Sequence, residues 1–266
     1  MQKHTQRFLA GVAKLSLLLT AIIFCCTGCL RLSSTVTIDR DGSGSIEIEY
    51  NIPEQTIMQI RSMTKLRREL QEASGKTADP QEEYSFRVIQ VFFDPTDNGI
   101  QTFFNELQDN GISLQSKRIR SREGARQVNM SVNFSSLEKL AASAPFSIFG
   151  FSIMPAHEGN YRIIRQGNAN INIPEVDMND PAFVSSVVPF LQGFRAELRV
   201  RTPGPVVAAN TPAFQGNTAM WTFDFDREPR ALHYLNSRDM ELVFAAEGVS
   251  LPEITQKSEQ SRLLQP

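Results

Sequence analysis

Cysteine is nearly absent from this sequence, and the few that occur are informative by position. The three stand at positions 25, 26 and 29, and nothing after position 29 is a cysteine. That excludes a disulfide framework, so any folded part must rest on its core. Histidine is as scarce. His4 lies near the start, and His157 and His233 are far apart with no ligand partner at short spacing, so neither signals a metal site. HExxH, GxSxG, P-loop and GxGxxG patterns are all missing. Neither sign of charge dominates: 27 basic residues face 29 acidic ones, a net of −2, which excludes a strongly basic chain built to coat nucleic acid. No apolar run after the N-terminal one approaches the length of a membrane span. There is no fixed-period repeat and no low-complexity tract. With 41% hydrophobic and 21% charged residues, the chain has an ordinary globular balance.

The N-terminus carries the strongest signal. MQKHTQRFLAGVAK holds Lys3, Arg7 and Lys14 and no acid, and LSLLLTAIIFCC is an apolar stretch too short to span a bilayer comfortably. It ends at Thr27, Gly28 and Cys29, which resembles the lipobox of bacterial lipoproteins, although Cys26 stands where leucine is usual. The reading is a signal peptide over residues 1–28 and an acylated Cys29; a plain signal peptide or an uncleaved anchor are the alternatives. Removing 1–28 takes away three basic residues and no acid, leaving a net of −5. Two or more acyl chains hold a protein stably at a membrane where one holds weakly. Leu30, rather than Asp, follows the cysteine, which by the enteric sorting rule favours the outer membrane, periplasmic face. An acylated Cys29 is also unavailable as a nucleophile.

The remainder reads as an α+β domain over 29–250, with a disordered polar tail over 251–266. LRLSSTVTID (30–39) and SIEIEY (45–50) alternate as half-buried strands. Pro53 opens a helix through Ser74, with Ile57, Ile60, Leu66 and Leu70 favouring one side. Residues 74–83 read as a polar loop and YSFRVIQVFF (84–93) as a strand. Ile100, Phe103, Phe104 and Leu107 then form a helical stripe, stopped at Asn110-Gly111. ISLQSKRIRS (112–121) and RQVNMSVNF (126–134) read as a hairpin, and 135–144 as a short helix. The second half is mostly short strands: 146–154, 159–166, 169–174, 193–204, 204–210, 219–226 and 239–246, with a helix over 228–236. The expected fold is mostly antiparallel sheet with amphipathic helices packed on one face, lipid-anchored.

Five groups of residues are candidate sites. Asp39, Asp41 and Ser43 match early positions of an EF-hand loop, but position twelve is Tyr50 rather than a bidentate Glu and both flanks read as strand, which favours a turn. Asp224 and Asp226 offer paired carboxylates for a tethered hydrolase; their alternation with Trp221, Phe223 and Phe225 equally describes a strand with one wet face. His157 and His233 read as isolated residues. Lys117, Arg118, Arg120, Arg122 and Arg126 form a basic hairpin suited to anionic headgroups or to a protected sheet edge, with 118, 120 and 122 on one face. Phe146, Ile148, Phe149 and Phe151 could line an apolar groove for a lipid or partner, or could be core.

A cysteine followed directly by the TVTIDRDGSGSIEIEY hairpin, then Pro203, Gly204, Val206 and Asn210 before a Trp221 strand, resembles the domain family of bacterial lipoproteins named after mycobacterial LppM. The resemblance spans roughly residues 29–247. It implies an envelope-facing α+β domain and brings no catalytic residue. A C-terminal membrane helix is missing here. The expectation is a non-catalytic lipid- or protein-binding lipoprotein, without cofactor or nucleic-acid partner and held at a membrane through acyl chains on Cys29. A carboxylate hydrolase is the alternative, and a calcium-dependent module a lesser one.

Overall fold

The computed structural model describes residues 30–74, 80–143, 151–167 and 193–254. Cys29, Phe146, Ile148 and Phe149 lie outside the described residues, as do the strand expected over 169–174 and the tail after Ile254.

A seven-stranded sheet organises the chain. β1 (Arg31–Ile38) and β2 (Gly44–Pro53) pair antiparallel, as their alternation predicts. β4 (Ala125–Phe134) adds to β2, and β3 (Ile112–Arg122) forms the edge beyond β4. On the other side β7 (Arg195–Arg201) lies parallel to β1, and β10 (Thr218–Asp224) and the short β9 (Phe214–Gln215) follow. The order is β3-β4-β2-β1-β7-β10-β9. A second sheet of four antiparallel strands, in the order β5-β6-β11-β8, comprises Phe151–Pro155, Asn160–Arg165, Met240–Ala245 and Val206–Ala209. The fold is thus α+β and mostly antiparallel. The parallel pair and the separate second sheet are additions to the expected layout.

Five α-helices are described: α1 (Glu54–Ser74), α2 (Pro80–Phe93), α3 (Asp97–Leu107), α4 (Leu137–Ala142) and α5 (Ala231–Ser237). α3 follows the stripe read from sequence, and Ile100, Phe103, Phe104 and Leu107 are all buried. Thr96 caps it by accepting a bond from the Gly99 amide at 3.0 Å, which satisfies one of the orphan N–H groups of its first turn.

Several expectations are corrected, beginning with residues 80–83, read as polar loop but forming the start of α2. YSFRVIQVFF is helix, not strand. Its aromatic and β-branched residues suit a strand, but Tyr84, Val88, Val91 and Phe92 also fall at i, i+4, i+7 and i+8. That stripe packs into the core, where Phe92 meets the Phe103 ring edge-on at 5.8 Å. In α1, Ile57 and Ile60 are buried, but Leu66 and Leu70 are 56% and 62% exposed. The line continues instead through the half-buried Thr64 and Arg67, because the two leucines drift off a 3.6-residue period.

α1, α3 and α4 pack on β2, β3 and β4, and β8 approaches β10. Ile153, Ile163, Leu242 and Phe244 of the second sheet share one core with Ala196, Ala219, Trp221 and Phe223 of the first. The crossing between the sheets is the Pro203-Gly204 segment. A Cβ at Gly204 would sit 1.9 Å from the Ala245 carbonyl oxygen, so only glycine permits the approach. Leu251–Ile254, placed by sequence in the tail, join the domain: Leu251 is buried and Ile254 bridges Ile153. No described helix is long and apolar enough to cross a membrane.

Candidate functional site: the open face of the large sheet

The side chains of the seven-stranded sheet divide cleanly. On one face Ile46, Tyr50, Ile52, Val128, Met130, Val132 and Phe134 are buried in the common core. The other face is mostly polar, its residues exposed or half-buried apart from the buried Thr35. Strand register turns that face into rows. Arg120, Gln127, Asn51, Arg31, Arg195 and Asp224 align across six strands. The next row inward is Arg118, Asn129, Glu49, Ser33, Glu197 and Thr222. The third is Ser116, Ser131, Glu47, Thr35, Arg199 and Met220.

The second and third rows dip into a depression of about 520 Å³. Its lining includes Glu47 and Glu49 on β2, flanked in strand order by Arg118 on β3 and Arg199 on β7, together with Ser33, Ser116 and Ser131. Glu49 accepts a hydrogen bond from Gln127 Nε2 at 3.0 Å, and Arg199 pairs with Glu197. Hydroxyls, carboxylates and guanidinium groups on a rigid sheet can exchange hydrogen bonds with a polar ligand or partner.

The basic hairpin splits between the two faces. Arg118, Arg120 and Arg122 project from the open face of β3, the edge strand, where charge also blocks strand addition. Lys117 and Arg126 project to the helix side, the reverse of a common patch. Lys117 Nζ lies 3.2 Å from Gln101 Oε1 and 3.9 Å from Asp97. Arg126, only 14% exposed, bonds Pro95 O at 2.9 Å and Glu54 and Asp94 at 3.3 Å. Asp94 also receives Arg61 in a two-point contact at 2.8 Å, which holds the Arg61 guanidinium more firmly protonated. A β-bulge between Leu114 and Ser116 shifts the register of β3 against β4.

The remaining candidates have structural occupations. In the β1–β2 turn Asp41 Oδ1 accepts from the Ser43 amide at 3.0 Å and the Ser43 hydroxyl at 2.6 Å, which holds its carboxyl below the usual carboxylate range. The Asp39 backbone closes the turn, its carbonyl accepting from the Gly42 amide at 3.1 Å and its amide donating to the Ser43 carbonyl at 2.8 Å, with Gly42 at φ 80. Among the described residues no three His, Cys, Asp or Glu side chains are grouped to hold a metal ion. Trp221, Phe223 and Phe225 are buried, as alternation predicts. Asp226 accepts from the Gly193 amide at 2.9 Å, and Asp224 accepts from the Asp226 amide at 3.1 Å beside Arg195 and Arg227. The Asp224–Asp226 pair therefore ties the end of β10 to the start of β7. His157 is exposed in the turn between β5 and β6, and His233 sits on α5 against Tyr234, so the two belong to separate places. Phe151 is half-buried on β5.

Arg31, Arg195, Arg199, Glu47 and Glu49 were not singled out from sequence. Their alternation places them on one face of their own strands. Nothing local reveals that β7, more than 150 residues away in the chain, lies beside β1.

No family model matches this chain, and no curated protein matches it. Among solved structures, the folded domain of LppM from Mycobacterium tuberculosis, determined by NMR, is similar with a TM-score of 0.36 and 13% identity, covering 85% of this chain and 96% of that one. At that distance no residue role is transferred.

Proposed function

We propose that this protein is a bacterial envelope lipoprotein, acylated at Cys29, whose domain acts by recognition rather than catalysis, taking a lipid or an envelope protein as its ligand. The observation that carries the reading is the open polar face of the large sheet, with its depression between Arg118 and Arg199. The carboxylates that a hydrolase reading would use, Asp224 and Asp226, engage the backbone of β10 and Gly193, which favours a structural part for them. Anchoring follows from the basic start, the short apolar stretch and the Thr27-Gly28-Cys29 site. The outer membrane is the favoured location, from Leu30 after the cysteine.

Metabolic palmitate labelling of cells making the full chain tests the anchor. Wild type should take up label; Cys29→Ser should not, and should accumulate as unprocessed precursor. Equal labelling of the two would end the lipoprotein reading. For the recognition half, the detergent-solubilised chain should carry a defined lipid or protein in native mass spectra. Arg118→Glu with Arg199→Glu should strip it, and an adduct indifferent to both changes would place recognition elsewhere.

A further inference from the structure

The charges of the open face are not evenly spread along the strands. The row nearest Leu30 contains Arg120, Arg31 and Arg195 against a single acid, Asp224. The row behind it reverses, with Glu49 and Glu197 against Arg118. Arg122 extends the basic end, because it pairs with Ala125, which pairs with Pro53 at the end of β2. Arg31 and Arg195 are direct neighbours on parallel strands, a like-charge juxtaposition offset in part where Arg195 pairs with Glu197 at 3.3 Å and Asp224 at 3.9 Å.

This basic end is also the end at which the chain enters. The Arg195 amide bonds the Leu30 carbonyl at 3.0 Å, and Leu30 is one residue after Cys29. A residue spans at most about 3.5 Å, so a lipid-bearing Cys29 holds this edge within a few ångströms of the headgroups. From Arg120 to Arg195 is four strand spacings, about 19 Å, a line wide enough to meet several lipids. On the helix side of the same end, Glu54 and Asp94 are occupied by Arg126 and Arg61. Glu123 at the hairpin tip pairs with Arg122 at 3.0 Å and opposes the effect in part.

We infer that this end of the large sheet is seated on anionic phospholipid headgroups, with Arg31, Arg120, Arg122 and Arg195 as the contact residues. The inference rests on the anchor at Cys29 for its proximity and on charge complementarity for its occupant. Acyl chains retain the protein; the arginine row fixes its attitude. The strands then rise from the membrane, and the depression opens sideways, two to four residues, about 7–14 Å, above the row.

Modification of arginines by phenylglyoxal, read residue by residue by mass spectrometry, tests this on the full chain. Two vesicle types are compared: pure phosphatidylcholine, and phosphatidylcholine with a third of the lipid replaced by phosphatidylglycerol. Arg31, Arg120, Arg122 and Arg195 should react about fivefold more slowly on the anionic vesicles, on the scale expected for a basic side chain near such a surface. Arg40 and Arg201, at the opposite end, should be unchanged. Arg120→Glu with Arg122→Glu should remove the difference at Arg31 and Arg195. Equal rates on both vesicles, or uniform slowing at both ends, overturn the inference. Protection by free glycerol phosphate to the same extent also overturns it, because the site would then hold a small anion rather than a membrane. The anchor is scored separately, by flotation with pure phosphatidylcholine vesicles. A chain that fails to float there but shows the arginine pattern on anionic vesicles has a surface contact without a lipid anchor.

Discussion

Tyr50 lies on the buried face of β2, 6% exposed, and its hydroxyl bonds no described protein group. Burial pushes its phenol well above the ordinary tyrosine range, because ionising it would place charge in apolar packing. A folded-state pKa raised in this way contributes stability that is complete below the unfolded value, about 10, and is lost as pH climbs above it. Tyr50→Phe should therefore be neutral or stabilising by about 1 kcal/mol near neutrality and should soften the alkaline loss. Urea melts at neutral pH and above pH about 10 measure both, and a variant losing as much as wild type in alkali would refute the assignment. Arg126 is a contrasting case. It joins Glu54 and Asp94 with little exposure of its own, so Arg126→Ala takes a partner from each acid, Asp94 keeping Arg61, and should cost about 1–3 kcal/mol. Arg120→Ala, on the open face, should stay within about 0.5 kcal/mol. A near-neutral Arg126→Ala would return that residue to the surface patch.

At the scale of elements, α2 is where local pattern and outcome diverge. Tyr84, Phe86 and Val88 alternate as a strand would, yet the helical stripe that includes Val91 and Phe92 meets α3 and decides the matter. Arg87 on α2 pairs with Glu106 on α3, and its guanidinium lies 6.0 Å from the Phe103 ring centroid. Gln90 is exposed and separates the alternatives. In a helix, Gln90→Ala should be more stable than Gln90→Val by about 0.5 kcal/mol, and in a strand the order reverses. The hairpin β3–β4 was legible because Glu123-Gly124 supplies a two-residue turn; both residues have positive φ, 53 and 74. α3 was legible because its stripe has only one reading. α1 was legible over its first half, where Ile57 and Ile60 meet the sheet, and not over its second, where Leu66 and Leu70 do not.

For the whole molecule, the two sheets share one core, with Trp221 and Phe223 on one side and Leu242 and Phe244 on the other. Asn210 ties them further: its Oδ1 accepts from Trp221 Nε1 and from the Glu241 amide, each at 2.9 Å. They should melt together. The fluorescence of Trp221, the single tryptophan, and the far-ultraviolet signal should trace one urea transition with one midpoint. Two separated midpoints would divide the described residues into independent units.

Local and periodic features were legible along the chain alone. The N-terminal segment is read as a lipoprotein signal because charge, apolar length and a terminal cysteine are adjacent in the chain. The β1–β2 turn is explained by Asp and Gly within five residues, and the α3 stripe by its spacing. Period two also placed Trp221, Phe223 and Phe225 on the dry face. Which strands are neighbours depends on long-range packing. The parallel pairing of β1 with β7 brings Arg31 beside Arg195, and the β2–β4–β3 order brings Arg120 into the same row. Alternation says which way a side chain points, but register between distant strands is set by the fit of a shared core, here the buried faces of β1, β2, β4, β7 and β10. The candidate site is a property of that register, so a local reading reached only its Arg118, Arg120 and Arg122 edge.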